Sequence, residues 1–158
     1  MHPKRAGTNL TGAAVEYDIL IANTGGEPVT GIRLDARLLS ASTQQDQVIG
    51  ALFADTIERP VTAPFDLPAG ETASMGGKAI LPRDMVAPIR VGDKLLFVPV
   101  LTVNLRFRRG DGGDGQTARA FMIGVSRGEG GKLGPFPLDT SRMRSNVSAL
   151  AYTLAVDR

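Results

Sequence analysis

The sequence predicts an all-β fold, an antiparallel sandwich of about seven to eight strands with one long glycine-tipped hairpin. Three observations carry that expectation. Apolar and polar residues alternate with period two along several runs, the pattern of a strand with one face buried. The 19 Gly and 10 Pro fall largely between those runs, where turns belong. Two of the runs flank the cluster Asn23-Thr-Gly-Gly-Glu-Pro28, so a strand reaches a tight reversal and a second strand returns.

Taken in order, the first strand covers residues 13–22. It sets Val15, Tyr17, Ile19 and Ile21 on one side and Glu16 and Asp18 on the other. The second covers 30–39, where Ile32, Leu34, Ala36 and Leu38 alternate with Arg33, Asp35 and Arg37. Residues 40–47 form a polar connector. The run 48–54 is too short for periodicity to separate a strand from a helical turn. Pro60 and Pro64 cannot donate to a ladder, so 59–64 reads as loop or edge. In 65–71, Pro68 presets one dihedral and Gly70 permits a positive φ, which makes a turn. A strand follows over 72–81, weakened or bulged at Gly76-Gly77, and 81–88 is a connector with one helical turn.

The strongest strand is read over 94–108. Leu95, Phe97, Leu101, Val103, Leu105 and Phe107 share one face, with Pro99 in register and marking a bulge or an edge. The other face passes from Leu96, Val98 and Val100 to Thr102, Asn104, Arg106 and Arg108, covered at its start and wet at its end. A glycine-rich loop at 109–115 leads to a hairpin partner over 117–125. Phe121, Ile123 and Val125 meet Leu101 and Val103 there, with Ala118 and Ala120 beneath the arginine-bearing face. The last strand, 147–156, points Leu150, Tyr152, Leu154 and Val156 inward.

One domain over residues 1–158 is expected, long enough to bury a core without staples. Apolar residues at 42% and charged residues at 22% are ordinary for a globular chain. A net charge of +2 gives little long-range field for nucleic acid. With no Cys there is no disulfide framework, thiolate nucleophile or Cys-bound zinc. The opening Met-His-Pro-Lys-Arg leads into no apolar leader segment, and no run approaches the ~18 apolar residues of a membrane helix. The chain enters a strand almost at once, as a domain cut from a longer protein would.

Asn23-Thr-Gly25 at the end of one strand, Pro28-Val29 opening the next, and Leu67-Pro-Ala-Gly-Glu71 before a third resemble the bacterial CARDB type of immunoglobulin-like domain. The resemblance implies an immunoglobulin-like β-sandwich, with an inserted segment at 40–63 and an extended final hairpin. A second set of motifs is similar to the soluble domain of uncharacterised bacterial membrane-anchored proteins. It includes Arg5-Ala-Gly-Thr-Asn-Leu-Thr-Gly12, Ile49-Gly-Ala-Leu-Phe53, Leu81-Pro-Arg-Asp84, Phe97-Val-Pro-Val100 and Pro137-Leu-Asp139. That resemblance implies a place beside a membrane, on its periplasmic or cytoplasmic side, and supplies no activity.

The residues for catalysis are few. His2 is the single histidine, so neither a Ser-His-Asp nor a Cys-His constellation can form. No phosphate-loop or dinucleotide fingerprint occurs, and the carboxylates mostly alternate along strands as Glu16 and Asp18 do. No enzymatic activity, cofactor or metal is expected. Asp111 and Asp114 sit among glycines and could offer oxygens to Ca²⁺, but without EF-hand spacing the expected reading is a hairpin tip. Arg106, Arg108, Arg109 and Arg119 gather near that hairpin and form the candidate binding surface, for an anionic lipid or glycan. The plainer reading is charge on a wet hairpin end that discourages edge pairing. Aromatic interleaving for base stacking is missing, so nucleic acid is not expected. The leading expectation is a non-catalytic scaffold or protein-interaction module of a bacterial membrane-associated protein. Its expected partner is a protein, with a membrane surface as the alternative.

Overall fold

The structure, a computed structural model, describes residues 1–128 and 130–158. In chain order the elements are β1 (His2–Asn9), β2 (Gly12–Ala22), β3 (Val29–Ser40), α1 (Gln45–Ala54), β4 (Phe65–Leu67) and β5 (Thr72–Pro82). A 3-10 turn (Arg83–Met85) leads to β6 (Ile89–Val91), β7 (Lys94–Phe97), β8 (Pro99–Arg108) and β9 (Asp114–Ser126). The rest are β10 (Leu133–Gly134), β11 (Phe136–Pro137), β12 (Met143–Arg144) and β13 (Val147–Asp157). β1, β2, β3, β5, β8, β9 and β13 carry the architecture, and the six shorter strands finish its margins.

Every pairing is antiparallel, and the class is the all-β sandwich that the alternation predicts. One sheet has the order β12-β1-β2-β5. The facing sheet runs β10-β9-β8-β3-β4, with β13 also paired to β9, and a small third sheet is β11-β7-β6. Between the two large sheets lies the main core, where Val15, Tyr17 and Ile19 of β2 meet Ile32 and Leu34 of β3 and Leu101 of β8. This two-layer arrangement is compatible with an immunoglobulin-like layout.

Asn23 ties the two turn motifs together. Its N–H donates to the Glu71 carbonyl at 2.9 Å and its carbonyl accepts from Gly70 at 2.8 Å. Its side-chain amide donates to the carbonyls of Glu27 at 2.8 Å and Leu67 at 3.1 Å. Gly70, at φ +76°, supplies the left-handed turn that brings the Leu67–Glu71 corner to it.

The structure departs from the sequence reading in six places. A strand, β1, precedes the expected first one and carries His2 at its start; Asn9 closes its hairpin by accepting from the N–H groups of Thr11 and Gly12. The undecided run 48–54 is part of a helix, α1, which buries Gln45, Ile49 and Phe53 along one stripe. No bulge interrupts β5, since its register with β2 runs unbroken from Gly12↔Pro82 to Ala22↔Thr72. Gly77 instead makes room for the Tyr17 ring, which an added Cβ would strike.

The long strand read over 94–108 splits at Val98 into β7 and β8, which belong to different sheets, so Pro99 begins a strand, where its missing N–H is harmless. Thr102 and Asn104, expected to be wet, are buried, because α1 covers that face through Val100, Ala118 and Ala120. In β13 the register with β9 shifts between Ala151 and Ala155. Tyr152, Leu154 and Val156 therefore pack with the α1 cluster, Val147 joins the main core, and Leu150 is exposed.

Candidate functional site

The β8–β9 hairpin is closed by its own backbone and by Asp111. Arg109 donates to the Gly113 carbonyl at 2.8 Å, and Gly112, at φ +84°, donates back to Arg109 at 2.9 Å. Asp111 accepts the Gly113 N–H at 2.8 Å, and that bond, with the Arg109 guanidinium behind it, holds its carboxyl below the usual range. One Asp111 oxygen is thus engaged inside the turn, while Asp114 opens β9 opposite Arg108. Among the described residues no three His, Asp or Glu side chains converge as metal ligands.

The four candidate arginines do not share a surface. Strand register puts Val103 opposite Arg119 and Arg106 opposite Gln116. Val103 lies in the main core, so Arg119 belongs to the inner face, and Arg106 and Arg108 belong to the outer one. Arg119 lines a recess of about 550 Å³ at the open end of the sandwich, walled by Ile19, Ile21, Leu105, Phe107 and Phe121. Its guanidinium grips the Asp157 carboxylate at 2.6 Å and the Val156 carbonyl at 3.1 Å. The Arg119 bond holds the Asp157 carboxyl below its ordinary value.

On the outer face, Arg106 serves the end of α1. It donates to the carbonyls of Phe53 at 2.7 Å and Asp55 at 3.3 Å, where the helix leaves its last acceptors unpaired. Gln116 adds a second bond to Phe53, at 2.7 Å, and one to Asn104, at 3.0 Å. Two arginines outside the candidate set join them. Arg33 donates to Ile57 at 2.8 Å and Glu58 at 3.1 Å, and Arg158 donates to the Gln116 amide oxygen at 2.8 Å. A groove of about 780 Å³ runs among Arg33, Arg106, Arg108, Arg109 and Arg158. Arg33 could have been found from sequence, because it alternates onto the polar side of its strand. It was missed because its pairing opposite Arg106 requires the strand order.

The remaining feature is an edge. β5 borders its sheet and pairs only with β2 among the described strands. The phase of that pairing follows from its ends, where Asn23 donates to Glu71 and Arg83 donates to the Thr11 carbonyl at 3.0 Å. Hydrogen-bonded pairs alternate along an antiparallel ladder. Ala73, Met75, Gly77, Ala79 and Leu81 thus bond to β2, and Ser74, Gly76, Lys78 and Ile80 direct their N–H and C=O groups away from it. All four are exposed, and for Gly76 that exposure is the backbone itself. The other end strands of the large sheets are short, as β12, β4 and β10 are, or bulged, as β13 is, whereas β5 is a long edge in unbroken register, guarded by the single charge of Lys78.

No protein family, curated protein or solved structure matches this chain. No helix among the described residues is long and apolar enough to cross a membrane.

Proposed function

We propose that the domain is a non-catalytic interaction module that takes an extended segment of a partner protein onto the free edge of β5. The observation that carries this reading is the run of outward N–H and C=O groups at Ser74, Gly76, Lys78 and Ile80. Such groups form a ladder with an incoming strand, and alternate side chains then set specificity. The same reading assigns the domain to the CARDB-like immunoglobulin class and to a bacterial membrane-associated protein. Support for that assignment is the pair of turn motifs that meet at Asn23, together with the motif likeness along the chain.

A photo-crosslinking residue at Ser74 of the intact protein should trap one protein through a short extended segment, and adding Lys78→Pro should abolish the product. Equal crosslinking from a position on β13, or a product indifferent to the proline, would contradict this reading. A second reading is the binding of an anionic lipid or glycan at the arginine hairpin. It is favoured by the groove that Arg106, Arg108 and Arg109 share.

A further inference from the structure

We infer that the outer groove is a binding site for a compact polyanion with closely spaced phosphate groups, held by Arg33, Arg106, Arg108 and Arg158. The inference deepens the second reading above and rests on it. Arg33 and Arg106 stand directly opposite each other on β3 and β8, an arrangement that like charges ordinarily disfavour. Gln116 lies opposite Arg106 on β9, and Arg158, beyond β13, exchanges backbone bonds with Gln116 at 2.6 Å and 2.9 Å. A row of side chains thus crosses four adjacent strands, about 14 Å at ordinary strand spacing. Arg108 lies one step further along the same face, opposite Asp114.

The positive charge of this row outweighs the one acidic side chain of the groove, Asp114, with which Arg108 forms no ion pair among the described residues. Five ion pairs are found among the described residues, and none involves Arg33, Arg106, Arg108 or Arg158. The bonds these arginines make go to neutral carbonyls and an amide, which fix the guanidiniums without cancelling them. Arg109 and Arg119, by contrast, already face Asp111 and Asp157. Capping α1 explains Arg106 and the following loop explains Arg33. Neither explains Arg108, whose side chain makes no hydrogen bond or ion pair among the described residues and has only Asp114 opposite it. The Arg106 Nε is in addition buried with no acceptor among the described residues, a cost that native folds seldom carry without a use.

Planar guanidiniums match phosphate oxygens two at a time, and their spread along the row suits several phosphates on one small molecule. The concave wall, formed by the hairpin on one side and Thr56 and Ile57 on the other, favours a compact ligand over a flat surface.

Inorganic triphosphate is the probe, titrated by calorimetry into the whole domain, with arginine side-chain NMR signals followed in parallel. Saturable binding that weakens with added salt is expected, with shifts at Arg33, Arg106, Arg108 and Arg158. Arg108→Gln, which removes no side-chain hydrogen bond or ion pair found among the described residues, should weaken binding by about tenfold or more, whereas Arg119→Gln should leave it unchanged. In a second arm, phosphatidylcholine vesicles with and without phosphatidylinositol bisphosphate show whether the phosphates come from a membrane or from solution. Binding lost in Arg119→Gln but kept in Arg108→Gln would overturn the groove while leaving an anion site on the hairpin. No binding of triphosphate or of either vesicle would overturn both. Neither result touches the β5 edge.

Discussion

Ala79→Pro should destabilise the domain by about 2–4 kcal/mol, and Lys78→Pro, one residue away, by no more than about 1 kcal/mol. The difference is one of direction. Ala79 stands opposite Val15, which is fully buried, and their pair is one of those that exchange hydrogen bonds. A proline at 79 removes that N–H and strands a carbonyl where water cannot reach it. Lys78 directs its N–H away from β2, so the same ring there removes a donor that nothing in the fold uses. Urea unfolding of both variants at unchanged m reads the difference as a shift in midpoint. Equal losses at the two positions would mean that the outward groups of β5 are engaged within the domain. A stable Lys78→Pro variant then becomes the tool that separates partner binding from folding.

Phe97→Ala carries the second large effect, about 3–5 kcal/mol, by lost burial and by the void it leaves. Phe97 belongs by its backbone to the small third sheet, where it pairs with Phe136 of β11. By its side chain it belongs to the main core, and both rings are wholly buried. The two phenylalanines therefore bind the third sheet to the sandwich, and the loss should be felt by the whole domain as one transition. Far-ultraviolet dichroism and tyrosine fluorescence, the latter reporting Tyr17 in the core and Tyr152 beside α1, should give coincident unfolding curves. Separate transitions, or a cost below about 1 kcal/mol, would show that the third sheet is a loose appendage.

How far the sequence could be read follows from the range of each signal. Alternation is local, and it placed β2, β3, β5, β8, β9 and the last strand, together with the Leu101–Phe121 contact across the hairpin. It placed the turns as well, because glycine and proline act on their own dihedrals. The helix is legible only as the undecided run 48–54, because its buried residues, Gln45, Ile49 and Phe53, begin with a glutamine that looks like part of a polar connector. Without α1 in place, Thr102 and Asn104 have no visible reason to be buried. Gly76-Gly77 suggested a bulge, since the demand of the Tyr17 ring comes from a neighbouring strand. The arginine cluster was legible as a density of charge near one hairpin, but its division between two faces depends on register. So does the recruitment of Arg33 and Arg158. The free edge of β5 is a property of strand order, which one chain's pattern of residues does not contain.

The claim on which the functional reading stands is that one flank of β5 is open, and amide hydrogen exchange measured by NMR on the free domain tests it residue by residue. Alternation is expected, with Ala73, Met75, Gly77 and Ala79 protected and Ser74, Gly76, Lys78 and Ile80 exchanging close to their intrinsic rates. Protection of all eight amides would contradict it, because those outward groups would then already have partners.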